Sequence, residues 1–387
     1  MDEHSAPLPY PSGWFCVGRA RDLPPGRVRT ARLMGEDVVL YRTARGAVRA
    51  IGPHCPHLGA HFGAGGRVRG EELVCPFHGF AFGPDGTCTG SPDGTRFRGE
   101  LARRRLVERD GALFVWRGGP AGAAPAWELP PAVGVRPLAW WSGEVASHPQ
   151  EVLENSVDFR HAAVLHGLDM RETAPPEVDG PLFTVHQRTV TRFPGLGAVQ
   201  LEQPVTLAGL GMIRMVAELP ELGAALRVWV LPTPLAPWRT LVRFAVTATV
   251  PVPGVGAARA VDKAASWLAL QASVRIIKQD RPVLAHKRYL AQPRLVPGER
   301  SIGLFRRWAR QFYPEGAEVP KGRRVPEDST GLEGSTPLEG STPLEGSTAL
   351  EGSDACDTVE PVSDSQSGSG SPGTDRPSDC HNRASSA

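Results

Sequence analysis

The chain has 387 residues, enough for two or three domains of ordinary size, and 41% of them are hydrophobic, enough to fill the cores. Its net charge of +2 hides an asymmetry: residues 1–325 carry 41 Lys/Arg against 29 Asp/Glu, whereas residues 326–387 carry 12 acids and two arginines. Without a run of the ~20 apolar residues a membrane span needs, without a basic-then-apolar leader in residues 1–12, and with six cysteines too sparse for a disulfide scaffold, the chain is expected to be cytoplasmic, with no transmembrane segment, no signal peptide and no nucleic-acid partner.

Residues 14 to about 118 read as short strands joined by tight turns. Apolar runs at 38–41 and 48–51 flank Gly46, those at 80–82 and 87–89 flank Gly83-Pro84-Asp85-Gly86, and those at 106–107 and 113–116 flank Asp110-Gly111. This spacing predicts a small antiparallel β domain. Residues 118–131, rich in Gly, Ala and Pro, read as a linker. Residues 151–166 have few breakers and are expected to be helical. From 182 to 252 β-rich runs alternate with Pro and Gly, which predicts a twisted antiparallel sheet. A long helix is expected over 257–279, with Val261, Ala265, Leu268, Ala272 and Ile276 on one face and Pro282 as its stop. A six-residue repeat, Gly-Ser-Thr-Pro-Leu-Glu, then opens a Ser/Gly/Asp-rich end. Each copy brings one apolar residue, too few for a core, so 326–387 is expected to be a disordered acidic tail. The fold class is α+β, with domains at 12–120 and 121–320 ahead of the tail.

Two constellations carry chemistry. The first is Cys55-Pro56-His57 and Cys75-Pro76-Phe77-His78, separated by 17 residues. Two Cys and two His suit a structural zinc. The flanks favour another reading, because Cys55-Pro-His-Leu-Gly59 and Cys75-Pro-Phe-His-Gly79 resemble the two cluster loops of Rieske proteins. There, two thiolates hold one iron of a [2Fe–2S] cluster and two imidazoles the other. The resemblance implies Cys55, His57, Cys75 and His78 as ligands. The positions of the extra cysteines that brace respiratory Rieske subunits hold Ala60 and Phe77, and Phe80 and Phe82 stand where high-potential members carry hydroxyls. Fewer hydrogen bonds to the cluster sulfurs imply a lower potential, as an electron donor to an oxygenase needs. His54 and His61 read as polar loop residues.

The second constellation is Glu154-x3-Asp158-x2-His161-x4-His166. Residues 154, 158 and 161 share one face of an ideal helix, whereas His166 sits roughly 140° round from His161. Both reach one metal only if the helix ends or distorts, for which Gly167 is the candidate. The segment resembles the iron motif of Rieske non-heme iron oxygenases. That resemblance implies a mononuclear Fe(II) on His161, His166 and a carboxylate, with positions left open for O2. Asp280 is the expected carboxylate, near the end of the long helix. Asp158 would be the acid linking this iron to a cluster histidine of a neighbouring subunit. Glu154 is read as supporting structure, and Asp262 as a charge near the helix start.

The resemblance covers residues 12–315 and implies a helix-grip-like catalytic domain after the all-β cluster domain. Glu154-Asn155, Gln279-Asp280-x-Pro282 and the segment from Phe305 to Tyr313 are similar to the cholesterol 7-desaturase group and, more loosely, to the 3-ketosteroid 9α-hydroxylases. Desaturation or hydroxylation of a sterol or steroid follows as the expected reaction, with an aromatic-ring oxygenase or a plain electron-transfer protein as alternatives. Gly254-Val-Gly256-Ala-Ala-Arg259 lacks the third glycine of a dinucleotide fingerprint. Electrons from NAD(P)H must therefore arrive through a separate ferredoxin or flavin reductase, for which the basic body offers a docking surface. The family also implies a homotrimer.

Overall fold

The computed structural model describes residues 8–119, 122–193, 197–219, 223–314 and 358–361. The N-terminal part forms three small antiparallel sheets. Gly13–Arg19, Ala112–Arg117 and Leu106–Arg109 make one. A second contains Val28–Leu33, Glu36–Arg42, Val48–Ile51 and Arg103–Arg104, and a third contains Arg67–Arg69, Glu72–Val74, Ala81–Phe82 and Cys88–Gly90. The turn between Leu106–Arg109 and Ala112–Arg117 is made by Asp110 (φ 48°) and Gly111 (φ 77°). Two consecutive positive φ angles are what a two-residue hairpin turn requires, and Asp-Gly supplies them at little cost. A core of Val39, Tyr41, Ile51, Phe62, Leu73, Phe80, Phe82 and Leu101 encloses Cys55 and Cys75.

The expected linker does not hang free. Trp127 stacks edge-on against Trp116 and Phe312, and its carbonyl accepts from the Trp14 indole at 2.9 Å. Contacts between the two domains run through Cys16, whose carbonyl accepts from Thr233 and Arg243, and through Met34 and Gly35, which donate to Pro234 and Leu235.

Six strands from Asp169–Asp179 to Arg239–Thr249 form a meander, each paired with the next, and Ala139–Val145 joins beside the last. The sheet thus begins before residue 182, at a Pro-bearing, exposed edge strand. Thr358–Pro361 pairs with the outer side of Ala139–Val145. For these four residues the structure replaces the expected disorder with a strand. The rest of the expected tail lies outside the described residues.

Four helices position the site: α1 (Pro149–Glu154), α2 (Phe159–His166), α3 (Val255–His286) and α4 (Arg300–Ala309). Three expectations need correction here. The helix expected over 151–166 is two helices, because Asp158 leaves the helical region (φ −101°, ψ 85°) and caps the second. Residues 154, 158 and 161 therefore do not share one helix face. α3 also runs past Pro282, which forgoes one backbone hydrogen bond without ending the helix, and the His286 ring lies 2.8 Å from the Pro282 carbonyl. Finally, the buried stripe of α3 is Ser266, Leu270, Val274, Ile277, Asp280 and Leu284, whereas Leu268 is exposed. The apolar members pack on Trp141, Val228, Val242 and Phe244 of the sheet. Their burial contributes roughly 1.5–3 kcal/mol each before entropy is charged, and it fixes where Asp280 points. Farther along the same face of the sheet, Phe305, Trp308, Phe312 and Tyr313 close a second core around Phe183, which shares a cross-strand row with Leu207, Ile213, Val230 and Phe244.

Candidate metal centres

The two Cys/His loops are built on one backbone pattern. The Cys55 N–H donates to Ala60 and the Cys75 N–H to Phe80, while each Cys carbonyl accepts from the glycine four residues on, Gly59 or Gly79. Both glycines hold positive φ (75° and 71°), which turns the chain back at little steric cost. The result buries both thiols and exposes both imidazoles, whose centroids lie 4.8 Å apart. Burial pushes the Cys55 thiol up to about 11, against the pull of the His57 backbone N–H, and the neighbouring Cys75 adds to the rise. Two adjoining buried sulfurs ionise together only with a cation to hold them, so the donor set fits a metal cluster. Phe80 and Phe97 pack on the His57 ring, and Leu58 and Phe77 stand exposed beside the histidines. His54 and His61 pair with each other across an isolated bridge, and His61 bonds Asp37 at 3.2 Å, so they take no part.

The second centre joins α2 to α3. Donor atoms of His161, His166 and Asp280 all lie within 4.8 Å of one another. Asp158 caps α2 by accepting from the His161 N–H at 3.1 Å, and Gly167 ends the helix in the left-handed conformation (φ 66°). Both histidines thus lie inside one short helix, and its break comes after His166, not between them. Their rings are nearly perpendicular, with centroids 5.1 Å apart.

The hydrogen bonds settle which ring nitrogens are free. Nδ1 of His161 donates to the Asp158 carbonyl, and Nδ1 of His166 donates to Oε1 of Gln279 at 3.0 Å. Nε2 of each neutral ring is then a bare lone pair. These lone pairs face Asp280 Oδ1 at 3.9 Å and 3.2 Å, and the buried His166 Nε2 has no hydrogen-bond partner. Lone pairs aimed at a carboxylate oxygen repel unless a cation sits between them, so two imidazoles and a carboxylate fit a divalent metal with open positions. Burial raises the Asp280 pKa, against the pull of His166 and His161. Burial opposes charge on His161, but Asp158 outweighs it and raises that pKa; His161 in turn lowers Asp158's, against burial.

Sequence reasoning named Gln279 and Asn155 without giving them work. Gln279 orients His166, and the Asn155 side chain lies close enough to Asp280 to favour its charged form. Glu154 points away from the centre into a two-pronged pair with Arg306 of α4 (2.6 and 2.8 Å), with Lys287 at 3.6 Å. Asp262 binds the Val250 backbone N–H.

Residues 13–103 match the Rieske [2Fe-2S] domain, and residues 115–313, half of the chain, match the 3-ketosteroid 9α-hydroxylase C-terminal domain. The cholesterol 7-desaturase nvd of Bombyx mori is 27% identical over 333 residues, covering 80% of this chain and 71% of that protein. Its Xenopus laevis counterpart is 29% identical, covering 79% and 72%. The oxygenase component of a Rhodococcus rhodochrous 3-ketosteroid-9-alpha-monooxygenase is 29% identical over 215 residues, 53% of this chain and 56% of that protein. Dicamba monooxygenase bound to dicamba superposes with a TM-score of 0.60 at 19% identity, over 78% of this chain and 96% of that one, which shows a shared fold. With a Rieske domain leading directly into that catalytic domain on one chain, the protein belongs to the Rieske oxygenases of the 3-ketosteroid 9α-hydroxylase family and is an oxidoreductase.

Proposed function

We propose that the protein is the oxygenase component of a system that desaturates or hydroxylates a sterol or steroid, with cholesterol 7-desaturation as the leading reaction. The convergence of two bare Nε2 atoms on Asp280 carries this reading. Relatives named for cholesterol and 3-ketosteroids supply the substrate class. In this reading Cys55, His57, Cys75 and His78 hold a [2Fe–2S] cluster, and His161, His166 and Asp280 hold one Fe(II). The shared fold with dicamba monooxygenase, solved with non-heme iron, agrees with that choice of metal. The iron supplies O2 activation, which imidazoles and carboxylates cannot perform alone.

The chain's own residues prepare the site. Gln279 and the Asp158 carbonyl fix the ring tautomers, Asn155 steadies Asp280, and the α3 stripe keeps the carboxylate in a largely dry place. Exposed His57 and His78 give the cluster a surface from which to exchange electrons. Asp158, 31% exposed at the start of α2, is the acid through which a neighbouring copy's cluster would communicate with His161. Contacts within the chain run through Cys16, Met34 and Gly35 rather than the histidine loops, which supports transfer between copies, in a homotrimer by family analogy. A separate ferredoxin or flavin reductase brings electrons from NAD(P)H.

Reconstituted turnover tests the proposal. Iron-loaded protein, ferredoxin, reductase, NADPH, O2 and cholesterol are combined and the products weighed by mass spectrometry. Loss of two hydrogens, one each from C7 and C8, is expected. Gain of one oxygen makes it a hydroxylase. No product from cholesterol or 3-ketosteroids, with three irons per chain and a reducible cluster, sinks the substrate class.

A further inference from the structure

A cavity of about 250 Å3 lies in the N-terminal domain and is lined by none of the candidate metal-binding residues. Arg49, Arg103, Arg104 and Arg105 line it, and no acidic residue does. Strand pairing places them together: Arg103 and Arg104 pair with Ile51 and Ala50, next to Arg49. The Nε atoms of Arg49 and Arg104 are buried without an acceptor. Counter-charge is thin. Glu36 stands 3.7 Å from Arg104 but closer, at 3.0 Å, to Arg117. Asp85 feels the charge of Arg103. Among the described residues, Arg49, Arg103 and Arg105 form no ion pair. Four like charges gathered around a concavity, with buried donors unmet, are costly unless an anion answers them.

We propose that this cavity binds a small oxyanion carrying two or more negative charges, of the phosphate or carboxylate class. Planar guanidinium forks suit such oxygens in pairs. The volume falls below the roughly 300–1,000 Å3 of sites for drug-sized molecules, which fits an ion of diphosphate or tricarboxylate size and not a sterol. Tyr41, Ile51 and Leu101 also line the cavity and belong to the core that encloses Cys55 and Cys75, so the anion rests on the scaffold of the cluster loops.

Calorimetric titration of the iron-loaded full chain with inorganic pyrophosphate, and in parallel with citrate, tests this. One saturable site is expected for at least one of them. Arg49→Gln with Arg104→Gln should weaken binding about tenfold or more, with the visible absorption of the cluster reporting an intact fold. Because those two side chains are partly buried, the exposed pair Arg103→Gln and Arg105→Gln provides a second variant in which weakening is also expected. No saturable heat with either anion overturns the proposal. So does binding that survives in the exposed-pair variant, or heat that fades with added sodium chloride equally in all three proteins, which marks diffuse attraction to a basic surface.

Discussion

The two candidate metal-binding regions are made in opposite ways. The Cys/His loops are local: four donors between residues 55 and 78, each loop held by its own backbone bonds and a positive-φ glycine. The α2–α3 centre is remote: two histidines from one helix meet an aspartate more than a hundred residues later, and side chains hold them in aim. One region presents its imidazoles to solvent; the other buries His166 and Asp280. A local site depends on turn geometry, whereas a remote one depends on how a long helix packs on a sheet, and the two should fail differently.

Asp280→Ala is the sharpest way to separate them. Iron should fall from three to two per chain, and turnover by more than about 100-fold, beyond the 10–100-fold typical of residues that support ligands, while the cluster spectrum stays intact. An unchanged iron content would contradict the assignment. Asp158→Asn should keep all the iron and the α2 cap, because Asn caps as well as Asp. It should still slow cluster oxidation in stopped flow by about tenfold or more if the carboxylate relays electrons between copies; normal oxidation would leave Asp158 as a cap alone. Gln279→Leu frees the His166 tautomer and should weaken iron binding about 10–100-fold, measured by chelator competition.

Other effects fall on stability rather than turnover. His148 caps α1: its Nδ1 accepts from the Gln150 N–H, and its Nε2 donates to the Pro9 carbonyl. Burial lowers its pKa from 6.5 to about 4. Between those values the unfolded chain takes up a proton that the folded chain refuses, so stability falls as pH drops from 6.5 to 4, by roughly 3 kcal/mol in all. Denaturant titrations of His148→Gln should show a flatter slope in that window. The smallest effect belongs to the local site. An added Cβ at Gly79 meets the Pro92 ring at 2.9 Å, whereas one at Gly59 meets nothing within 4 Å. Both carry the left-handed penalty of about 1–2 kcal/mol, so Gly79→Ala should destabilise more than Gly59→Ala; equal losses would show that the Pro92 loop yields.

The difference in construction also explains what could be read from the letters. The Cys/His loops were legible because their geometry is carried by adjacent residues. Asp280 is named through resemblance, with a wrong helix end beside it. The better signal was the stripe Leu270, Val274, Ile277, Leu284, in which Asp280 is the one charge at core spacing. It was hidden because Leu268, an exposed leucine, suggested a rotated face. The split at Asp158 was missed because an acid that caps a helix looks, one-dimensionally, like an acid inside one. Gln279 and Asn155 were illegible in role because their partners lie on other elements, 113 residues away for Gln279.

The pair between Glu154 and Arg306 spans 152 positions and has a consequence in time. A ribosome adds about 5–20 residues per second. The first centre can therefore receive its metal while most of the chain is unmade. The second must wait on the order of ten seconds for Asp280, and longer for the Arg306 brace. Completion of the two sites is thus ordered by synthesis, the Cys/His loops before the α2–α3 centre.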